Sequence, residues 1–413
     1  MLSYLSKVFS IIILMLIVLI GLDYMSATID RNEIRKNARE SLRVLAQEGD
    51  YHNIFKPLSF LKQDNFTDAI MIGCTVAERE DMTHFENMCF SPTYYPVEPI
   101  PRTLGIYKAV LDPDDASVEV GDYARYWHGY QMTLRPLLKY MDLKKIRILN
   151  YFVLSAMAMT VLLLLNKKIG RKYAIVFLLS ILLVGFPVVP LSLQFVTCFL
   201  ICFIAMITML LLPEKVITTK DNTLLFLIFG GITSFFDLLT TPLLTLGMPL
   251  IVMLLRRNRF PDYRCALLSC LMWFLGYASV WITKWILAGV FTPYDIISSV
   301  SGAIAERSGS VVTLSSGMVT VAFLSFLVLS IAAILFLVTA MRKRVNDSGN
   351  KYLSLVLIGL LPFLWAIVIQ NHSVSHYWFV WRILAVSIFA LGAYYVKVMN
   401  FNSLNRESVK YQV

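Results

Sequence analysis

About ten apolar runs, most of them near the length that crosses a hydrocarbon core, constrain this 413-residue chain before anything else does. They fall at 8–22, 146–165, 172–187, 191–212, 223–237, 240–255, 265–290, 316–340, 352–370 and 378–396. A bilayer core takes roughly 20 helical residues. Only elements that satisfy their own backbone groups can stand in it. With 57% of residues hydrophobic and 15% charged, the expectation is an all-α polytopic membrane protein of about ten transmembrane helices. Pro187 and Pro190 part the third run from the fourth, and Asp237 to Pro242 part the fifth from the sixth. Either pair can be read as one broken helix.

The net charge of +10 reads as cytoplasmic loops rather than nucleic-acid binding, because no Arg-Gly or aromatic-interleaved basic tract accompanies it. Dense basic clusters stand at Lys167, Lys168, Arg171 and Lys172; at Arg256, Arg257, Arg259 and Arg264; and at Arg342, Lys343, Arg344 and Lys351. An N-terminus inside and a C-terminus inside keep all of them cytoplasmic. The first run reads as a retained helix, since Met25-Ser26-Ala27 is a weak cleavage site. The domains expected are a first transmembrane helix (1–22), an extracytoplasmic loop domain (23–145), a transmembrane bundle (146–396) and a cytoplasmic tail (397–413).

The large loop carries structure of its own. Ile34, Ala38, Leu42 and Leu45 recur at helical steps and predict a helix over 31–47. The aromatic, basic stretch 119–141 predicts a second helix lying in the membrane interface. Cys74 and Cys89 both fall in this loop, where a disulfide or two free thiols are open readings.

Polar chemistry collects on the same side. Asp64 and Asp68 flank Asn65-Phe66-Thr67, spaced to share one face of a helical turn. One could take a proton from an attacking hydroxyl while the other positions a metal or acceptor; the competing reading is a helix N-cap. Tyr126, Trp127 and His128 suit stacking on a sugar and hydrogen bonding to it, or an aromatic belt with one tolerated His. Asp237, between two apolar runs, needs a partner or water. Lys284 and Arg382 stand at matching depth and could grip a phosphate, or each could snorkel to the headgroups. Arg307 is a weaker candidate of the same type. His372 and His376 are spaced i, i+4, but no third ligand completes a zinc pattern. No metal site is therefore assigned. The acids could hold a divalent cation such as Mg²⁺ or Mn²⁺, and the cofactor stays open. A Walker loop, a Rossmann fingerprint and a nucleophile elbow are all missing from the sequence.

This layout resembles the GT-C superfamily of integral membrane glycosyltransferases: one span, a large first outer loop with an acid in it, then many spans. The resemblance covers the whole chain as architecture, and its matching positions are Asp64 and Asp68, the helix expected at 119–141, and Lys284 with Arg382. The first acid lies about 40 residues after the first span, farther than in most of the superfamily. The resemblance implies an inverting membrane glycosyltransferase at the cell membrane, working extracytoplasmically. It would move a sugar from a polyprenyl-phosphate carrier to a cell-surface glycan or glycolipid acceptor. Asp68 or Asp64 would be catalytic. Tyr126, Trp127, His128, Asp237, His372 and His376 would bind substrate, and Lys284, Arg382 and Arg307 the carrier phosphate. The partners implied are the lipid-linked donor, the acceptor and membrane lipids, with no nucleic acid. A polysaccharide polymerase or ligase, expected to carry its large loop late in the chain, and a transporter or flippase of lipid-linked sugars remain alternatives.

Overall fold

The computed structural model describes residues 2–55, 61–97, 99–112, 118–308 and 350–410. These are mostly helical. Five helices are long and apolar enough to cross a membrane: Ser3–Ala27, Leu143–Lys168, Leu193–Leu211, Tyr263–Phe291 and Tyr377–Val398. Asp221–Phe236 and Leu353–Val368 are shorter apolar helices. The run expected at 316–340 lies outside the described residues.

Helix α1 (Leu2–Ala27) leads into a polar domain built from α2 (Arg31–Glu48), α3 (Asn65–Val76), α4 (His84–Phe90), β1 (Pro92–Pro96), α5 (Arg102–Leu111), β2 (Val118–Asp122) and α6 (Gln131–Tyr140). The bundle follows: α7 (Leu143–Lys168), α8 (Arg171–Leu183), a 3-10 turn (Phe186–Leu191), α9 (Leu193–Leu211), α10 (Glu214–Ile217), α11 (Leu224–Phe236), α12 (Leu244–Arg257), α13 (Tyr263–Phe291) and α14 (Ile296–Ser308). After the undescribed stretch come α15 (Leu353–Val368), α16 (Gln370–Ser375), α17 (Tyr377–Val380) and α18 (Leu384–Lys410).

The first helix of the polar domain is the one the apolar stripe predicts. Asp30 caps its start by accepting from the Asn32 N–H at 2.9 Å, and Gly49, at φ +81°, ends it. Ile34, Ala38, Leu42 and Leu45 are fully buried against α3, α5 and α6. The stretch 119–141 is not one helix. Val118–Asp122 pairs antiparallel with Pro92–Pro96, Tyr94 opposite Val120, and a turn follows in which His128 takes φ +57°. Only Gln131–Tyr140 is helical. Leu134 and Leu138 are buried in the protein core rather than laid on an open face. This two-stranded ribbon is set into a fold that is otherwise mostly helical. Cys74 and Cys89 are both free thiols.

Two devices hold the layers together. The half-buried Glu48 receives both arms of Arg147 from α7, at 2.7 and 2.9 Å. The same guanidinium donates to Asn65 Oδ1 at 3.2 Å and to the Leu191 carbonyl at 2.7 Å. One cation thus fixes α2, the start of α3 and the 3-10 turn to α7. Inside the bundle, α11 and α13 touch backbone to backbone. A Cβ on Gly230 would stand 1.9 Å from the Trp273 carbonyl, and one on Gly276 the same distance from the Leu227 carbonyl. Close approach of this kind is how apolar helices associate where hydrophobic burial cannot drive them.

Candidate functional site

The polar domain meets the bundle around a cavity of ≈ 280 Å³. Its polar-domain wall comprises Tyr51, Asp64, Phe66, Tyr94, Tyr95, Arg102, Tyr123, Arg125 and Tyr126. From the bundle come Gln194, Leu238, Glu306, Asn371, His372, Ser375, His376, Trp378 and Phe379. Two carboxyls, two guanidinium groups, two imidazoles and a set of flat aromatic faces therefore share one space.

Asp64 reaches it because it is the N-cap of α3. Its carboxylate accepts from the Thr67 N–H at 3.1 Å and the Thr67 hydroxyl at 3.0 Å. Each oxygen keeps a second lone pair. Trp378 Nε1 is near enough to favour the ionised form without reaching good hydrogen-bond geometry. Burial, helped by repulsion from Asp68, nevertheless raises the Asp64 carboxyl to about 7.

Asp68 does different work. One oxygen accepts from the Ser192 hydroxyl at 2.9 Å and the Gln194 N–H at 3.0 Å, and the other from the Leu193 N–H at 3.0 Å. It caps the start of α9 from another element, so the polar domain supplies the orphan donors of a bundle helix with their acceptor. Burial raises this carboxyl to about 6, opposed by the Gln194 N–H and Arg147. The two acids do not face each other across a common ligand space, and no step through a shared divalent cation follows. Among the described residues no group of three or more His, Cys, Asp or Glu gathers.

Of the expected sugar binders, Tyr126, His372 and His376 line the cavity, while Trp127, His128 and Asp237 do not. Trp127 is buried and donates to the Val280 carbonyl at 2.6 Å. His128 is buried with both nitrogens engaged, at 2.9 Å from the Tyr130 hydroxyl and 2.8 Å from the Tyr123 carbonyl. A carbonyl can only accept, so Nε2 carries the proton and Nδ1 accepts from Tyr130. Burial drives its pKa down to about 3, with Lys284 adding repulsion. Asp237 accepts from the Thr240 N–H at 2.9 Å, closing the turn after α11. That turn presents the Leu239 carbonyl to His372 Nε2 at 3.0 Å. His372 and His376 stack at 4.6 Å.

The expected phosphate grip is not assembled. All three ammonium protons of Lys284 are spent on the Met88 carbonyl at 2.8 Å, the Cys89 carbonyl at 2.9 Å and the Ser91 hydroxyl at 2.9 Å. Lys284 thus closes the end of α4 onto α13. Arg382 is fully buried over the Phe195 ring at 4.1 Å and donates through Nη1 to the Trp378 carbonyl at 2.8 Å. Among the described residues its Nε and Nη2 find no acceptor, and the Asp64 charge reaches it. Arg382 lies behind the cavity wall. Arg307 belongs to α14, and its side chain lies outside the described residues.

The cations that do line the cavity, Arg102 and Arg125, escaped the sequence reading. Arg125 lies over Tyr123 at 5.1 Å and Tyr126 at 5.8 Å. Its carbonyl accepts from Trp281 Nε1 at 2.6 Å and from Trp285 Nε1 at 3.3 Å, so α13 anchors it. Arg102 lies over Phe66 at 5.4 Å and Tyr95 at 5.2 Å. Arg125 was visible only as a member of the basic, aromatic stretch 119–141 and Arg102 as a member of none, and nothing in their spacing brings them together. No family model, no curated protein and no solved structure matches this chain.

Proposed function

We propose that the protein is a membrane glycosyltransferase. It moves a sugar from a polyprenyl-phosphate carrier to a glycan or glycolipid acceptor, in the cavity between the polar domain and the bundle. The observation that carries the reading is the company Asp64 keeps: a carboxyl able to titrate near neutrality, aromatic faces fit for sugar rings, and guanidinium groups fit for phosphate, at the edge of apolar helices. Asp64 takes the proton from the acceptor hydroxyl. The hydroxyl oxygen bonds to the anomeric carbon while the bond from that carbon to the carrier phosphate breaks, which inverts the centre. The phosphate leaves with the electron pair, and Arg125, held at the end of α13, meets its charge. His372 and His376 serve as hydrogen-bonding partners to the sugar. In this reading the polar domain faces away from the cytoplasm at the cell membrane, and both termini face into it.

Mass spectrometry of lipids co-purifying with the full-length protein tests this. The expected result is a bound polyprenyl-phosphate sugar, depleted in Arg125→Gln. Ordinary phospholipid alone, the same in wild type and variant, would overturn the reading.

A further inference from the structure

The two arginines of the cavity hang on different walls. Arg125 is fixed by its backbone to α13, with the Tyr123 hydroxyl and Glu306 as its electrostatic neighbours. Arg102 opens α5 in the polar domain. The acid nearest its backbone is Asp50, and that carboxylate is already taken. It accepts from the Arg102 N–H at 3.1 Å, the Thr103 N–H at 2.9 Å and the Thr103 hydroxyl at 2.7 Å. Among the described residues the Arg102 guanidinium forms no ion pair. Among the described residues its one side-chain hydrogen bond, to the Tyr94 carbonyl, is long at 3.5 Å. Yet it is not a loose surface cation. Phe66 and Tyr95 hold its plane, and Tyr51 stacks on Phe66 at 5.9 Å with Trp378 against Tyr51 at 5.0 Å. A preoriented guanidinium with donors unspent offers the two-pronged contact that a carboxylate or phosphate accepts. Phe66 lies two residues from Asp64 on the same helix, so this contact stands beside the group that receives the acceptor hydroxyl.

We infer that Arg102 is an anion subsite for the acceptor, and that the acceptor is an anionic saccharide bearing a carboxylate or phosphate near its reacting hydroxyl. The inference rests on the glycosyltransferase reading for the word acceptor; the subsite itself rests on the geometry of Arg102. The aromatic run from Trp378 to Tyr95 supplies ring contact, and Arg102 selects for charge. A neutral saccharide leaves that charge unpaired in the cavity and binds less tightly.

The test is calorimetric titration of the full-length protein in lipid nanodiscs. The probes are a glucuronate-terminated disaccharide, its carboxyl-reduced glucose counterpart, glucose 6-phosphate and a short-chain polyprenyl phosphate. The expected result is that one or both anionic sugars bind at least tenfold tighter than the neutral disaccharide. Which of them does so tells carboxylate from phosphate. Arg102→Gln should erase the preference and leave neutral-sugar and polyprenyl-phosphate affinity unchanged, and Arg102→Lys should keep part of it. Equal binding of charged and neutral sugars by the wild type would overturn the inference, as would an intact preference in Arg102→Gln. If Arg102→Gln instead weakens polyprenyl phosphate alone, the residue serves the carrier. The inference then fails while the glycosyltransferase reading stands.

Discussion

Asp64 and Asp68 are four residues apart and chemically identical, yet their surroundings give them separate work. Asp64 receives two hydrogen bonds from its own first turn and opens on the cavity. Asp68 receives three donors from the start of α9 and opens on nothing. The isosteric amide tells them apart. In Asp68→Asn one oxygen becomes an NH₂ that must face a hydroxyl or a backbone N–H, so buried donors oppose each other. The expected cost is about 1–3 kcal/mol, read as a lower Tm of the purified protein. In Asp64→Asn the amide oxygen can still cap Thr67, and Tm should move little while transfer is lost. Equal Tm losses in the two variants would contradict this division. The sequence made both acids legible as a pair. It could not say that α3 begins between them, which turns Asp64 into the cap and aims Asp68 at another helix.

At the scale of elements, the joints are backbone contacts and one cation. Gly230 and Gly276 let α11 and α13 meet at carbonyl distance, so Gly276→Val should force the pair apart and lower the yield of folded protein sharply. Size-exclusion profiles of variant and wild type measure this. Arg147→Leu should cost about 3 kcal/mol, because it strands the half-buried Glu48 and releases three segments at once. Unfolding in denaturing detergent reads it, and an unchanged midpoint would rule out the clamp. The stripe Ile34, Ala38, Leu42, Leu45 made α2 legible because one period runs without interruption. The misreading at 119–141 has a local cause. Its aromatic and apolar residues also fall at helical spacing, but Val118 and Val120 alternate and Gly121 and Gly129 punctuate. Those breakers were the better signal, since strand pairing and a positive φ both occur there.

Across the whole molecule, the apolar runs made the mostly helical architecture with its long apolar helices readable, because length and apolarity are properties of single segments. The cavity was readable only in part: Asp64, Tyr126, His372 and His376 were named from the sequence, but its walls come from segments far apart in the chain, and only packing brings Arg102, Arg125 and Trp378 to Asp64. The joint burial of Asp64 and Asp68 has a global consequence for pH. Both carboxyls sit above their ordinary value in the folded protein, at about 7 and about 6. Folding therefore takes up protons, and this contribution to stability is full below about pH 4 and fades as pH rises toward 7. Relative to wild type, Asp64→Asn should flatten the fall of Tm between pH 5 and 8. Activity runs the other way: the base must be ionised, so the transfer rate should drop on the acid side of pH 7.

The most direct test follows consumption of a lipid-linked sugar donor in one turnover at pH 8. Protein in native-lipid vesicles receives acceptor-bearing membranes, and rates are normalised to folded protein. The account predicts that Asp64→Asn transfers at least a hundredfold more slowly than wild type with donor binding unchanged and Tm no lower. Transfer by Asp64→Asn at the wild-type rate would remove Asp64 from the chemistry and with it the central claim.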